Sequence, residues 1–153
     1  MRALILIILI GIQFTACAKN ENRDRLCNNI SSNPNPVKIK ITIGNSVFIA
    51  GLYDNPAATA FKARLPLTIN MTELNGNEKY YDFSMAFPTN ASVGGNIKAG
   101  DLMLYEDNVL VLFYKNFDTS YHYTKLGFID NPDQLVSALG GGNVVVTFEN
   151  YKN

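Results

Sequence analysis

The sequence has no tryptophan, one histidine and two cysteines, and its charges cancel. Because 13 basic residues balance 13 acidic ones, no surplus charge is available to attract nucleic acid or anionic headgroups, and we expect no nucleic acid partner. His122 is the only histidine, which argues against a metal site built from histidines. The sequence therefore predicts neither a metal nor a cofactor, and its 153 residues suit one folded core.

A hydrophobic leader opens the chain. Arg2 precedes an apolar run over residues 3–12, which is too short for a membrane-spanning helix of about 20 apolar residues. The following Phe14-Thr15-Ala16-Cys17 resembles the bacterial lipobox, in which the cysteine is acylated and becomes the first residue. We therefore expect a lipoprotein signal peptide over residues 1–16 and a lipid on Cys17 as membrane anchor. The alternative is a plain secretory signal in which Cys17 is incidental.

Residues 17–36 are predicted to form a flexible tether. The segment is polar, contains two Asn-Pro steps and cannot bury apolar surface. If Cys17 is lipidated, Cys27 has no intrachain partner, and no structural disulfide is expected. Ala18 is not the aspartate that often retains such lipoproteins in an inner membrane. The expected location is the bacterial cell envelope, with a preference for the outer membrane.

A single domain is expected over residues 37–153. Val37, Ile39, Ile41 and Ile43 alternate with polar residues, which predicts a strand with one buried face. A first helix is predicted to begin at Pro56 and to reach Leu65, where Pro66 follows. Further strands are predicted at 47–52, 67–72, 80–87, 101–105, 109–114, 123–129 and 144–148, with a long loop at 88–100 and a second helix at 131–139. Roughly eight strands and two short helices favour a mainly β fold, a closed eight-stranded barrel with helices at its ends.

The order and spacing of several segments resemble the bacterial cyclophilin-like domain family. The segments are Leu-Pro-Leu-Thr-Ile-Asn-Met at 65–71, Asn-Gly-Asn-Glu-Lys-Tyr at 75–80, Gly-Asp-Leu at 100–102, Gly127, and Val-Val-Val-Thr-Phe at 144–148. The resemblance covers nearly everything after Pro36 and implies an eight-stranded cyclophilin-like barrel with two short capping helices. True cyclophilins are peptidyl-prolyl isomerases that use an arginine on a strand beside an aromatic pocket. The strand most similar in position, at 80–87, contains no arginine.

Aromatic residues provide the candidate ligand site. Six tyrosines, at positions 80, 81, 105, 114, 121 and 123, lie in the middle of the domain. The resemblance places Tyr105 and Phe113 near the cyclophilin pocket, and with Tyr81 and Tyr121 they are the predicted ligand-binding residues. Aromatic rings that carry hydroxyl groups suit a small molecule or an extended peptide. The alternative is that these rings only fill and cover the barrel.

The sequence favours a lipid-tethered binding module without chemistry of its own. The main alternative is a divergent peptidyl-prolyl cis/trans isomerase of the cell envelope, with Arg64 or Lys79 as the hydrogen-bond donor. A purely structural envelope component is a third reading. His122 and Arg64 are the candidates for a catalytic role, although a cation such as Arg64 also suits the C-terminal end of a helix.

Overall fold

The computed structural model describes residues 36–152. The expected signal peptide at 1–16, the lipidated Cys17 and the tether up to residue 35 lie outside the described residues. Within residues 36–152 the chain forms nine strands and two helices. They are β1 Val37–Ile43, β2 Ser46–Leu52, α1 Pro56–Lys62, β3 Leu67–Leu74, β4 Glu78–Asp82, β5 Ser92–Ile97, β6 Asp101–Tyr105, β7 Val109–Phe113, β8 Phe117–Ile129, α2 Leu135–Leu139 and β9 Val144–Asn150.

Eight of these strands close into a ring. Hydrogen-bonded neighbours follow the order β2, β1, β9, β3, β4, β7, β6 and β8, and β8 pairs again with β2. Every pair in the ring is antiparallel, and the ring closes where residues 50–52 of β2 pair with residues 127–129 of β8. The prediction of a mainly β, eight-stranded closed sheet is confirmed.

The main core fills the inside of the ring. Ile39, Ile41 and Ile43 of β1 are each at most 1% exposed, because alternate residues of a strand face the same side. Helix α1 adds Phe61, whose ring meets the ring of Phe148 edge-on with centroids 5.5 Å apart. The period-two pattern of β1 therefore predicted the buried face correctly.

Helix α1 begins where the sequence predicted. The Asn55 side chain accepts a hydrogen bond from the Ala58 amide at 2.8 Å, and Pro56 occupies the first helical position. The helix ends at Lys62, three residues before the predicted end at Leu65, because the Leu65 amide donates to the Lys62 carbonyl in a tighter turn. Neither helix of the described residues is long and apolar enough to cross a membrane.

Glycine permits the closure of the ring at Gly127. A Cβ atom built there would lie 2.3 Å from the Gly51 carbonyl oxygen and 3.1 Å from the Leu52 Cα. Both neighbours are backbone atoms of β2, so they cannot turn aside as a flexible side chain could. The contact of β2 with β8 therefore requires a residue without a side chain at this point.

The segment between β4 and β6 differs from the prediction. The strand predicted at 80–87 ends at Asp82, and the loop predicted at 88–100 contains β5. Strand β5 includes Gly94 and Gly95 and has a bulge between Val93 and Gly95. Because the two glycines carry no side chain and the bulge shifts the register, the segment shows no alternation by which a strand could be recognised.

Two further boundaries were misplaced. Strand β8 begins at Phe117 and not at residue 123, because its first half pairs with the unpredicted β5. Helix α2 begins at Leu135 and not at residue 131, because the Asn131 side chain accepts a hydrogen bond from the Asp133 amide at 3.0 Å. That local bond stabilises a turn in place of the first helical turn.

A second, smaller apolar cluster lies on the outer face of the ring. Residues of β6 and β7 alternate between the two faces, so that Leu102 and Leu104 belong to the inner core while Met103 faces outward. The outward residues pack against β5 and the first half of β8. The cluster comprises Ile97, Met103, Val111, Phe113 and Tyr123, with Tyr80, Val109 and Phe117 at its edge.

Candidate functional site

An open cleft of about 340 Å³ lies beside this outer cluster, and we call it the tyrosine cleft. It is lined by one face of β4, β6 and β7, by the first half of β8 and by the turn after β3. The lining residues are Leu74, Asn75, Glu78, Tyr80, Asp82, Tyr105, Val109, Val111, Tyr121 and Tyr123. Four of the ten are tyrosines, two are carboxylic acids and none is basic.

Strand alternation explains which residues reach the tyrosine cleft. On β4, Glu78, Tyr80 and Asp82 share the outer face, whereas Lys79 and Tyr81 point into the ring. Tyr105 and Tyr123 are paired opposite each other across β6 and β8, so their rings enter the cleft side by side. The cleft is therefore a direct product of the antiparallel register.

The tyrosine rings form a connected group. The Tyr105 ring contacts Tyr121 edge-on at 6.2 Å and Tyr123 at 5.7 Å between centroids. Tyr123 rests in turn on Phe113 at 5.4 Å, edge-on. Tyr123 is only 6% exposed, whereas Tyr121 is 64% exposed. The cleft thus has a fixed floor at Tyr123 and an accessible rim at Tyr121.

The ionisable groups of the tyrosine cleft are partly shielded from water. Burial raises the pKa of Glu78, and the negative charge of nearby Glu73 raises it further. Burial, together with the charge of Glu78 and the neighbours Tyr105 and Tyr121, raises the pKa of Tyr123 to about 12. The Tyr123 phenol therefore stays protonated near neutral pH and cannot act there as a base or nucleophile.

Two of the four predicted ligand-binding residues line this cleft and two do not. Tyr105 and Tyr121 are part of its wall. Phe113 is fully buried beneath Tyr123 and supports the floor without lining the cleft. Tyr81 points to the opposite side of the sheet, where its ring meets Phe83 edge-on at 5.0 Å.

Arg64 lies among aromatic rings, but not in the tyrosine cleft. Its guanidinium carbon is 3.5 Å from the centroid of the Phe87 ring and 5.3 Å from that of Phe83. Nη2 donates to the Ala86 carbonyl at 3.2 Å, and Nη1 is buried without a partner among the described residues. The Arg64 side chain thus connects the end of α1 to the segment after β4. The sequence alone also allowed Arg64 to interact only with the C-terminal end of the helix.

Lys79 is fully buried and every proton of its ammonium group has an acceptor. Nζ forms a salt bridge with Glu73 and donates to the carbonyls of Gly140 and Gly142 at 2.8 and 2.7 Å. Tyr114 donates its hydroxyl proton to the same Glu73 carboxylate at 2.8 Å. The arrangement joins β3, β4, the residue that follows β7 and the glycine segment after α2, and it leaves Lys79 no N–H to donate to a substrate.

His122 lies on the exposed side of β8 next to β5, opposite Val93 in the strand pairing. Asp118, four residues before it, accepts a hydrogen bond from the Asn96 side chain at 2.9 Å. Within residues 36–152, no three histidine, cysteine, aspartate or glutamate side chains come close enough together to hold a metal ion. His122 is also absent from the wall of the tyrosine cleft.

The two acidic residues of the cleft were missed at the level of sequence. Glu78 and Asp82 alternate with Tyr80 and could have been placed with it, had the strand been started at residue 78. Tyr80 and Tyr123 were noticed among the clustered tyrosines but not selected as ligand-binding residues. The alternation of residues 78–82 was the pattern that indicated this strand face. It was hidden because the apolar and aromatic residues at 83–87 shifted the predicted strand to 80–87.

Comparison with known proteins agrees with this architecture. Residues 41–149 match the cyclophilin-like family. The solution structure of a hypothetical protein from Archaeoglobus fulgidus is similar, with a TM-score of 0.51 and 16% sequence identity over 76% of this chain and 95% of that chain. At this identity the likeness concerns the fold alone. No curated protein matches the sequence.

Proposed function

Since the chain belongs to the cyclophilin-like family, we propose that its ring is a binding module without chemistry of its own, tethered to the bacterial cell envelope by a lipid on Cys17. The tyrosine cleft carries the proposal. Its volume of about 340 Å³ suits a small molecule or a few residues of a peptide, and its lining combines apolar surface with hydroxyl and carboxylate groups. The N-terminal lipobox-like sequence supports the tether.

The rings of the tyrosine cleft suit binding, and neither Tyr123 nor Lys79 offers a reactive group to a ligand there. Tyr123 has a pKa of about 12, and Lys79 is fully engaged on the other side of the sheet. Neither group therefore meets the requirement of nucleophilic or acid–base catalysis for an ionisable group poised near neutral pH within reach of the substrate, and the proposal assigns Glu78 and Asp82 of the cleft wall to ligand contact. Rigid aromatic rings, by contrast, lose little conformational entropy when a ligand settles against them.

A binding screen tests the proposal. We expect members of a mixed set of small molecules and capped tripeptides to bind the full-length protein in non-ionic detergent, as followed by ligand-observed NMR. Tyr121→Ala should weaken binding by about fivefold, because a large accessible ring is removed from the rim.

Tyr151→Ala is the matched control, since Tyr151 is also an exposed tyrosine but does not line the cleft. Equal affinities of the wild-type protein and the Tyr121 variant for every ligand found would contradict the assignment of the cleft. A complete absence of binding would contradict the proposed function.

The alternative function is prolyl isomerisation, and Arg64 beside Phe83 and Phe87 is the feature that favours it. An isomerase must lower an amide rotation barrier of about 18–20 kcal/mol, which a cationic donor to the prolyl nitrogen would assist. We expect no acceleration, because stacking on Phe87 and the bond to Ala86 hold the Arg64 side chain in place, and its unpartnered nitrogen, Nη1, is buried away from solvent.

The measurement is the cis/trans exchange of a proline-containing test peptide, which takes about tens of seconds without a catalyst. Acceleration by the wild-type protein that is lost in Arg64→Ala would establish the alternative and identify the donor. Unfolding curves of the two proteins show whether the variant remains folded.

A further inference from the structure

We propose that the tyrosine cleft selects an organic ammonium cation on a small apolar body. The inference rests on the proposed binding function, because it names the ligand class of the same cleft. Its basis is the juxtaposition of Glu78 and Asp82 with the rings of Tyr80, Tyr105, Tyr121 and Tyr123.

The two carboxylates of the cleft differ from the paired carboxylates elsewhere in the domain. Glu73, Asp130 and Glu149 each form a salt bridge with a lysine. Glu78 and Asp82 form none with any residue in the described range 36–152, and no basic side chain lines the cleft. Burial raises the pKa of Glu78, and the Glu73 charge adds to the shift, so an incoming cation would stabilise the ionised carboxylate.

The aromatic rings favour the same charge. A tyrosine ring presents a partially negative face, and a cation within about 6 Å of the ring centroid is attracted to it. Tyr105 touches both Tyr121 and Tyr123, at tilted or edge-on angles, so the group presents ring faces in more than one direction. Such surroundings favour a weakly hydrated alkylammonium group over a strongly hydrated metal ion.

Other ligand classes fit the lining less well. Anions would meet two carboxylates without a compensating basic group. A calcium ion needs six to eight oxygen ligands, which two acidic side chains and a wall of rings do not supply. A neutral ligand would cover Glu78 further without pairing its charge, which is unfavourable.

Choline and 3,3-dimethylbutan-1-ol make a suitable pair of probes, because the second replaces the charged nitrogen of the first by carbon. We expect the full-length protein in non-ionic detergent to bind choline at least about fivefold more tightly than the neutral alcohol at equal ionic strength. Glu78→Gln and Asp82→Asn should each reduce the affinity for choline without reducing that for the alcohol.

Glu106→Gln is the matched control, since Glu106 is an exposed carboxylate on the turn after β6 and does not line the cleft. It removes the same unit of charge, so a loss of affinity equal to that of Glu78→Gln would reveal a general effect of net charge and overturn the inference.

The outcomes separate this inference from the proposed function. If both probes bind equally well, and Tyr121→Ala weakens both, the cleft is a binding site but not a cation site, and only the inference is overturned. If neither probe binds but members of the mixed ligand set do, the inference is again overturned alone. Failure of every ligand overturns both.

A capped tripeptide with a central lysine distinguishes the two sources of an alkylammonium group. Choline binding tighter than the tripeptide, with loss of both in Glu78→Gln, assigns a small molecule. If the tripeptide binds more tightly than choline, and Glu78→Gln weakens both, the ligand is a lysine side chain and the inference of a cation site stands. Insensitivity of both ligands to Glu78→Gln overturns the inference.

Discussion

Replacing Lys79 with methionine is expected to lower the free energy of unfolding by about 3 kcal/mol, or roughly 10 °C in melting temperature. The methionine retains the apolar stem of the side chain but removes the charge. The Glu73 carboxylate and the carbonyls of Gly140 and Gly142 then lose the ammonium group that binds them. The value lies at the lower end for a broken buried ion pair, because the Glu73 side chain is 21% exposed.

Urea unfolding followed by tyrosine fluorescence measures this loss, and the absence of tryptophan keeps that signal uncomplicated. Lys152→Met is the control, since Lys152 is exposed and lies after the last strand. The double variant Lys79→Met with Glu73→Gln should recover part of the stability, because no charged carboxylate is left without its partner. A loss below about 1 kcal/mol in Lys79→Met would show that the ion pair does not hold the fold.

The same ion pair predicts how stability responds to acid. Burial alone would raise the pKa of Glu73, but hydrogen bonds from Lys79, Tyr114 and the Gly76 amide outweigh burial and lower it. A carboxylate with a lowered folded-state pKa stabilises the fold above its ordinary value of 4.5, and this contribution is lost as the pH falls through the folded-state pKa. The pH dependence below 4.5 should therefore be weaker in Glu73→Gln than in the wild-type protein.

The Cys17→Ser variant is expected to lose its membrane anchor completely. Acylation requires the cysteine thiol, and two or more acyl chains are needed for firm attachment because each buried methylene group contributes only about 0.8 kcal/mol. The wild-type protein should partition into the detergent phase of a Triton X-114 extract and incorporate labelled palmitate. Cys17→Ser should do neither.

Cys27→Ser is the matched control, because it removes the other cysteine of the sequence and leaves the lipobox-like segment unchanged. Labelling and detergent partitioning of the Cys17 variant at wild-type levels would contradict lipidation. A wild-type protein that is secreted without a label would instead support the plain secretory signal.

The alternation of side chains made much of the ring predictable. Strand β1 shows it plainly at Ile39, Ile41 and Ile43, all of which are buried as predicted. The alternation of side chains did not predict β5, because residues of this strand lack side chains that alternate between apolar and polar. Gly94 has no side chain, and a Cβ at this position would lie 2.8 Å from the Thr119 side chain. The close packing of β5 on β8 therefore disfavours, at this position, the side chain that would have marked the segment as a strand.

The candidate site was predictable in part for similar reasons. Tyr105 and Tyr121 could be chosen because tyrosines are conspicuous in a ligand site and lie on predicted strands or next to them. Tyr81 could not be separated from Tyr80 without the strand register, which turns one ring inward and the other outward. Nothing in the local sequence showed that Lys79 is buried, since its three acceptors lie 6, 61 and 63 residues away along the chain.

The position of β9 constrains when the domain can fold. Strand β9 lies between β1 and β3, with Phe148 paired to both Ile41 and Leu67, so the ring stays open until β9 is added. A polypeptide that leaves the ribosome or a translocon with its amino end first therefore has two unpaired strand edges until residues 144–150 emerge. The ring therefore cannot close before these residues have emerged, and a chain cut before Val144 cannot form a closed sheet of this order.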